Sequence, residues 1–230
     1  MLTATTAQAA THFDGGRTVH YKLKVPLKLD STTKCSFKEK SAIAELIQQA
    51  VLLVIDEYTM GNKKVFETVS RSLCELLSND LPFGGKTVVL SGDWKQILPV
   101  VQNAQRADVV AASLKSSYLW DSVKLLHLSE NMRIKNAAQE DKDFAQYLLD
   151  VGNGKIETHD SIGEQMIKIP EVMLSKAETL NQLVDEVYPN LGAQVKNGLE
   201  ERGENPNWNK FVHERTIITP TNEECQSINR

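Results

Sequence analysis

Five consecutive apolar residues, Val51 to Ile55, run directly into two carboxylates, Asp56 and Glu57. The run is short and rich in β-branched side chains, which fits a strand buried on both faces. In open α/β sheets, ligands bind outside the carboxyl ends of the strands. Two adjacent carboxylates at such an edge cost several kcal/mol to desolvate without a cation or donors, on the order of the penalty for any buried charge. A nucleotide-bound Mg²⁺ is the natural compensation. Asp56 would then hold the ion, through water, and Glu57 would orient or deprotonate the attacking water. The plainer alternative is a strand that ends in two solvated acids at a turn.

The second strand repeats the design. Thr87 to Leu90 is apolar, and Gly92, Asp93, Gln96 and Pro99 follow it. A glutamine at the carboxyl edge can bond a γ-phosphate oxygen or the attacking water without adding charge, and so can register whether the phosphate is present. Otherwise Gln96 is a polar loop residue. A third apolar run, Val123 to Leu128, reads as a strand that delivers Arg133 to the same edge. An arginine there stabilises charge on a transferring phosphoryl group, an effect of roughly 10³–10⁵ in rate. The alternative is a surface arginine.

Between these runs the spacing is helical. Ser41 to Ala50 reads as a helix capped by Ser41, with Ile43, Leu46 and Ile47 on one face. Gly61 to Leu77 places Val65, Val69, Leu73, Leu76 and Leu77 on a stripe. Arg106 to Tyr118 and Ala137 to Val151 also read as helices, the latter with Phe144, Leu148 and Val151 together. Leu2 to Ala10 closes one strand and opens a helix. Strands alternating with helices predict an α/β fold with a mainly parallel sheet. From Gly152 to Glu214 the signal weakens, with a Gly-Glu-Asn-Pro turn at 203–206. Thr216 to Thr219 restarts a strand that leads into a helix.

At 230 residues the chain has the length of one to two domains, and 41% apolar with 24% charged residues is ordinary for a globular protein. No apolar run approaches the roughly 18 residues of a membrane span, and the first residues lack a secretory pattern. Cys35, Cys74 and Cys225 are odd in number and widely spaced, which argues against zinc and a disulfide framework. The net charge of −4 offers no global attraction to nucleic acid, so any such binding needs a local groove.

A phosphate cradle of the form GxxxxGK[ST] belongs between a strand and a helix. Gly84-Gly85-Lys86-Thr87 imitates it, but Asp80 takes the first glycine position, a helix precedes it and a strand follows. That order cannot aim helix N–H groups at phosphate. Lys86 therefore reads as a strand-entry surface residue. Either the cradle lies before Met1 or catalysis has been lost.

Together, the DEYTM, PFGGK, GDWKQILPV, SSYLW and LSENMR segments resemble the Pif-type DNA helicases of superfamily one, nearest to the branch carried by Helitron transposons. The opening TATTAQAATHFDGGRTVHYKLKVPL is similar to the segment that follows the phosphate loop in that family, and TIITPTNEECQSINR to the entry of its second motor domain. The resemblance implies a RecA-like P-loop NTPase motor domain over 1–151, an insertion or inter-domain segment over 152–214, and the start of a second RecA-like domain over 215–230. It implies an ATP-dependent 5′→3′ DNA helicase that uses ATP and Mg²⁺ to move on single-stranded DNA and separate duplex DNA. Its settings would be DNA repair, recombination, telomere maintenance or transposition, and its residence nuclear, with a mitochondrial form as the alternative. By this resemblance Asp56 and Glu57 are the magnesium and water-activating pair, Gln96 links the γ-phosphate to DNA movement, and Arg133 falls near the nucleotide. Thr5, Thr6, Thr18 and His20 lie in segments that border the single-stranded DNA track, where Thr and His can bond phosphate or stack on a base without large positive charge. Each of these four can also be a cap, turn or core residue. Tyr58 departs from the small residues usual after the acidic pair. The rival readings are a non-catalytic DNA- or partner-binding remnant and a P-loop ATPase with another task.

Overall fold

The computed structural model describes residues 1–159, 166–200 and 206–229. The chain divides into two compact units, Met1–Ile156 and Glu157–Arg230.

In the first unit, β1 (Leu2–Ala4), β2 (Leu52–Asp56) and β3 (Thr87–Leu90) form a parallel sheet in that spatial order. Ala4 pairs with Asp56, and Ile55 with Leu90, so all three strands end at one level. Parallel neighbours need helical crossovers. Between β1 and β2 run α1 (Ala7–Ala10), α2 (Val19–Lys22) and α3 (Ala42–Gln49), and between β2 and β3 runs α4 (Lys63–Leu77).

The core is set by helix α4. Its Val65, Phe66, Val69 and Leu73 are buried with Leu53 and Ile55 of β2, and with Leu114 and Leu119 further along the chain. Asn62 caps the helix by accepting from the Lys64 amide at 3.0 Å, and Ser78 ends it in the left-handed region at φ 49°. Buried hydroxyls on α4 anchor two flanking loops. Ser72 accepts from the Cys35 amide at 2.8 Å and Ser70 from the Phe83 amide at 2.9 Å. Unpaired, these loop N–H groups would each cost about 1–3 kcal/mol.

Burial on both faces of β2 is not found. Leu53 and Ile55 are covered, whereas Leu52 is 39% exposed and Val89 of β3 is 46% exposed. The strands therefore alternate, because the core packs against one face of the sheet. Likewise in α3, capped by Ser41, Ile47 is buried while Leu46 faces solvent at 44%.

The PFGGK segment follows the helix–strand order that argues against a phosphate loop. Phe83, Gly84 and Gly85 take left-handed conformations, and a Cβ on Gly84 would sit 2.6 Å from the Leu73 carbonyl. Only glycine allows that approach to α4. The Lys86 ammonium donates to the carbonyls of Gln48 and Ala50, each at 2.7 Å, and so caps the carboxyl end of α3.

Three expectations fail locally. Val123 to Leu128 forms no strand; Leu126 and Leu128 are exposed, and no neighbour among the described residues supplies the backbone ladder that a strand requires. The predicted helix from Arg106 stops early, as α5 (Arg106–Ala112), and continues in two 3₁₀ turns, Leu114–Ser116 and Tyr118–Ser122. Thr216 to Thr219 is also unpaired among the described residues. By contrast α6 (Gln139–Gly152) matches its predicted span, although Phe144 and Leu148 on its apolar stripe are about half exposed.

The second unit contains α7 (Leu180–Val187), α8 (Leu191–Glu200), α9 (Pro206–His213) and α10 (Asn222–Ile228), the last opened by a Thr221–Glu224 capping box. The Tyr188 hydroxyl donates to the Arg215 carbonyl at 3.1 Å, and the Tyr188 and Phe211 rings lie 6.0 Å apart. Of the turn expected at 203–206, residues 203–205 lie outside the described residues.

Candidate nucleotide and nucleic-acid site

The carboxyl ends of all three strands are laced together around the acidic pair. The Thr5 amide donates to the Asp56 carbonyl at 3.0 Å, the Ser91 amide to Ile55, and the Tyr58 amide to Ser91, both also at 3.0 Å. Asp56 Oδ1 accepts from the Glu57 amide at 3.0 Å. Glu57 itself is left-handed, with φ 53° and ψ 37°. A non-glycine residue in that region is uncommon and held at a cost of about 1 kcal/mol or more.

One carboxylate oxygen of Glu57, Oε2, is buried and has no hydrogen-bond partner among the described residues. Burial pushes the Glu57 carboxyl above its ordinary pKa, the negative charges of Asp56 and Asp93 push it further, and His12 opposes them. Asp93 and His12 thus act on Glu57 through space. This is an acidic edge with one buried carboxylate oxygen left without a hydrogen bond, as suits a group completed by a cation or a water. The donor set of Asp56 and Glu57 fits a hydrated Mg²⁺, a hard cation that keeps several waters.

The second-strand loop is tied to this turn. The Thr59 hydroxyl donates to the Asp93 carbonyl at 3.2 Å, and the Gln96 amide donates to the same carbonyl at 3.1 Å. A Cβ on Gly92 would lie 3.0 Å from Tyr58 Cδ1. Tyr58, buried, meets Trp94 edge-on with centroids 5.5 Å apart, and Trp94 meets Trp120 at 6.0 Å. The Lys115 ammonium lies 4.2 Å from the Trp94 ring centroid. Burial raises the Tyr58 phenol's pKa, against the indole N–H of Trp94. Tyr58 is therefore the packing link between the acidic turn and the loop that carries Gln96. The Gln96 side chain is solvent-exposed in that loop.

Arg133 is not delivered by a strand. It sits in the exposed 3₁₀ turn Met132–Ile134, where its amide donates to Asn131 Oδ1 at 3.1 Å. Among the described residues it makes no ion pair with Asp56 or Glu57. The strand expected to carry it, Val123 to Leu128, is unpaired among the described residues.

On the other side of the acidic turn is a cleft of about 410 Å³, lined by Thr5, Thr6, His20, Asn62 and Lys64 among others. Thr5 joins the two sites directly, its hydroxyl donating to the Glu57 carbonyl at 2.5 Å. Thr6 caps α1 by accepting from the Ala9 amide at 3.2 Å, and Thr18 caps α2 by accepting from Tyr21 at 3.3 Å. Capping thus holds for both, and Thr18 is not part of the cleft lining. His20 Nδ1 lies 3.1 Å from the Val25 carbonyl, which can only accept. That contact is a hydrogen bond only with a proton on Nδ1. Sequence reasoning missed Lys64 and the local charge beside it. Residues 17–40 hold seven basic side chains against two acidic ones, in a chain of net charge −4.

The chain matches the PIF1-like helicase family over residues 1–162. It is 32% identical over 150 residues to the ATP-dependent DNA helicase Pif1 of Psychrobacter sp., covering 64% of this chain and 22% of that protein. It is 26% identical to the uncharacterized protein 030L of Invertebrate iridescent virus 6 across 100% of this chain and 43% of that one. The chain therefore spans less than half the length of these curated relatives. Among solved structures, a Bacteroides Pif1 helicase in complex with ADP-AlF₃ and single-stranded DNA has a TM-score of 0.57 at 23% identity, over 68% of this chain and 37% of that one. That likeness gives the fold, a RecA-like α/β arrangement. With the family match extending over more than half its residues, the chain belongs to the PIF1-like helicase family.

Proposed function

We propose that the parent protein is an ATP-dependent DNA helicase. It hydrolyses Mg-ATP at the Asp56–Glu57 edge and couples this to 5′→3′ movement on single-stranded DNA held in the Thr5–His20 cleft, separating duplex DNA ahead. Residues 1–151 belong to its first motor domain, and 215–230 open the second. The reading extends to repair, recombination or transposition of genomic DNA, in the nucleus or the mitochondrion, on the strength of family membership.

The observation that carries it is the unpartnered buried oxygen of Glu57, joined through its own carbonyl to the Thr5 hydroxyl of the cleft. Mg²⁺ on ATP supplies charge neutralisation of the transferring phosphoryl group. Asp56 would hold that ion through water, Glu57 would orient and deprotonate the attacking water, and Gln96 would register the γ-phosphate. Thr6 and Lys64 would donate to the DNA backbone, contacts that position a strand without reading its sequence, with Thr5 and His20 forming the adjoining wall of the cleft.

The test is ATP turnover by the full-length parent with and without single-stranded DNA, together with unwinding of duplexes carrying a 5′ or a 3′ tail. Strong stimulation and unwinding from the 5′ tail are expected. Turnover indifferent to DNA would point instead to an ATPase with another task, and DNA binding without turnover to a non-catalytic module.

A further inference from the structure

The α2 helix that carries His20 into the cleft also carries Tyr21, a residue 62% exposed. A single exposed aromatic is ordinary on a protein surface. This one is bracketed by cations: the Lys24 ammonium lies 4.4 Å from the ring centroid and the Arg17 guanidinium carbon 5.9 Å. Among the described residues, neither cation forms an ion pair with a carboxylate. Lys24 is held in the left-handed region at φ 53°, and its carbonyl accepts from the Ser36 amide at 2.8 Å. The Tyr21 amide is fixed by the Thr18 cap. The ring and both cations thus stand on a short, braced stretch of chain.

The surroundings select the ligand. Residues 17–40 carry a local charge of +5, from seven basic and two acidic side chains, and Leu27 of the same stretch, 90% exposed, lines the cleft. Cations alone would suit any polyanion. A solvated aromatic face set between them suits one whose charges alternate with flat rings, because every base has a π-face to stack while the flanking phosphates need neutralising.

We infer that Tyr21 is a base-stacking platform beside the Thr5–His20 cleft, where a nucleobase of single-stranded DNA rests on the ring and Arg17 and Lys24 take the flanking phosphates. The inference rests on the DNA reading of the cleft and adds to it a contact with the bases themselves. The base displaces Lys24 from the ring face, and the ammonium moves to the neighbouring phosphate.

The experiment measures binding of the full-length parent to a fluorescent oligothymidylate and to a base-free abasic strand of equal length. Wild type is expected to prefer the oligothymidylate. Tyr21→Ala should weaken oligothymidylate binding by about 5- to 150-fold and leave abasic binding unchanged, while Tyr21→Phe retains the preference. Lys24→Ala and Arg17→Ala should weaken both strands alike and flatten the salt dependence. Equal losses on both strands in Tyr21→Ala, or no loss, would overturn the platform, as would a Tyr21→Phe variant that behaves like Tyr21→Ala. Stronger competition by poly-glutamate than by oligothymidylate would overturn it in favour of an acidic protein partner. If wild type binds neither strand, the DNA reading of the cleft itself fails, a result separate from the loss of base preference alone.

Discussion

The side-chain hydroxyl of Thr5 donates a 2.5 Å hydrogen bond to the main-chain carbonyl of Glu57. It is a direct hydrogen-bonded link between the cleft and the acidic turn, since Thr5 lines the one and Glu57 forms the other. A strand drawn against Thr5 would therefore bear on the backbone that aims the Glu57 carboxylate.

Replacing Thr5 with valine keeps the shape and removes the donor. The Glu57 carbonyl still accepts from the Met60 amide at 3.2 Å, so the turn should survive. The expected stability loss is about 1 kcal/mol. The functional loss should be larger: in the full-length parent, Thr5→Val should need more single-stranded DNA for half-maximal ATPase stimulation and reach a lower maximum. Unchanged stimulation would show that the hydrogen bond carries no coupling.

Trp94 holds the Gln96 loop against the acidic turn through its edge contacts with Tyr58 and Trp120. Each such pair contributes about 0.5–1.5 kcal/mol beyond area burial. Trp94→Ala should lower kcat by about tenfold or more with little change in KM for ATP, the pattern expected when only transition-state geometry suffers. Trp94→Phe should recover most of the rate. A rise in KM alone would place Trp94 in nucleotide binding instead.

Lys86 is expected to matter for stability and not for ATP. Its ammonium bonds two carbonyls at the end of α3. Lys86→Met should cost about 1–2 kcal/mol and lower Tm by about 2–8 °C, read by thermal melting. ATP affinity of the parent should be unaffected below the melting range. A selective loss of ATP affinity would mean that the GGKT segment touches phosphate after all.

Glu57 gains a pH signature from its surroundings. Its folded pKa is raised by burial, then by Asp56 and Asp93. Between the unfolded and folded pKa values the folded chain binds more protons, so stability falls as pH rises through that window, and the full penalty applies above the folded pKa. Glu57→Gln removes the charge. Near neutral pH it should raise Tm by about 2–4 °C, for a relief on the order of 1 kcal/mol. The gain should fade as pH drops below the folded pKa. A Tm difference independent of pH would contradict the assigned environment.

What the sequence made legible was whatever is encoded locally. β2, α4 and the Ser41 cap follow from apolar period and a hydroxyl at the right place, and they deliver Asp56 and Glu57 to the sheet edge. The apolar run at 123–128 has the same local signature as β2, yet a strand exists only where a neighbour offers a ladder, and that is a tertiary fact. Arg133 lost its expected placement for this reason. Similarly, Tyr58 gained meaning only when Gly92 and Trp94 were seen packed on it. The left-handed turn at Glu57 and its unpartnered oxygen leave no trace in residue order. Tyr21 was hidden differently: a net charge of −4 masks a basic stretch that a windowed charge count over 17–40 exposes.

The most direct test of the central claim is ATP turnover by the full-length parent carrying Glu57→Gln, at saturating single-stranded DNA. Turnover should fall by about 10²–10⁴-fold, the contribution of a positioned general base, while ATP binding measured separately is retained. Turnover equal to wild type would contradict the assignment of Glu57 to the attacking water, and with it the motor account of the acidic edge.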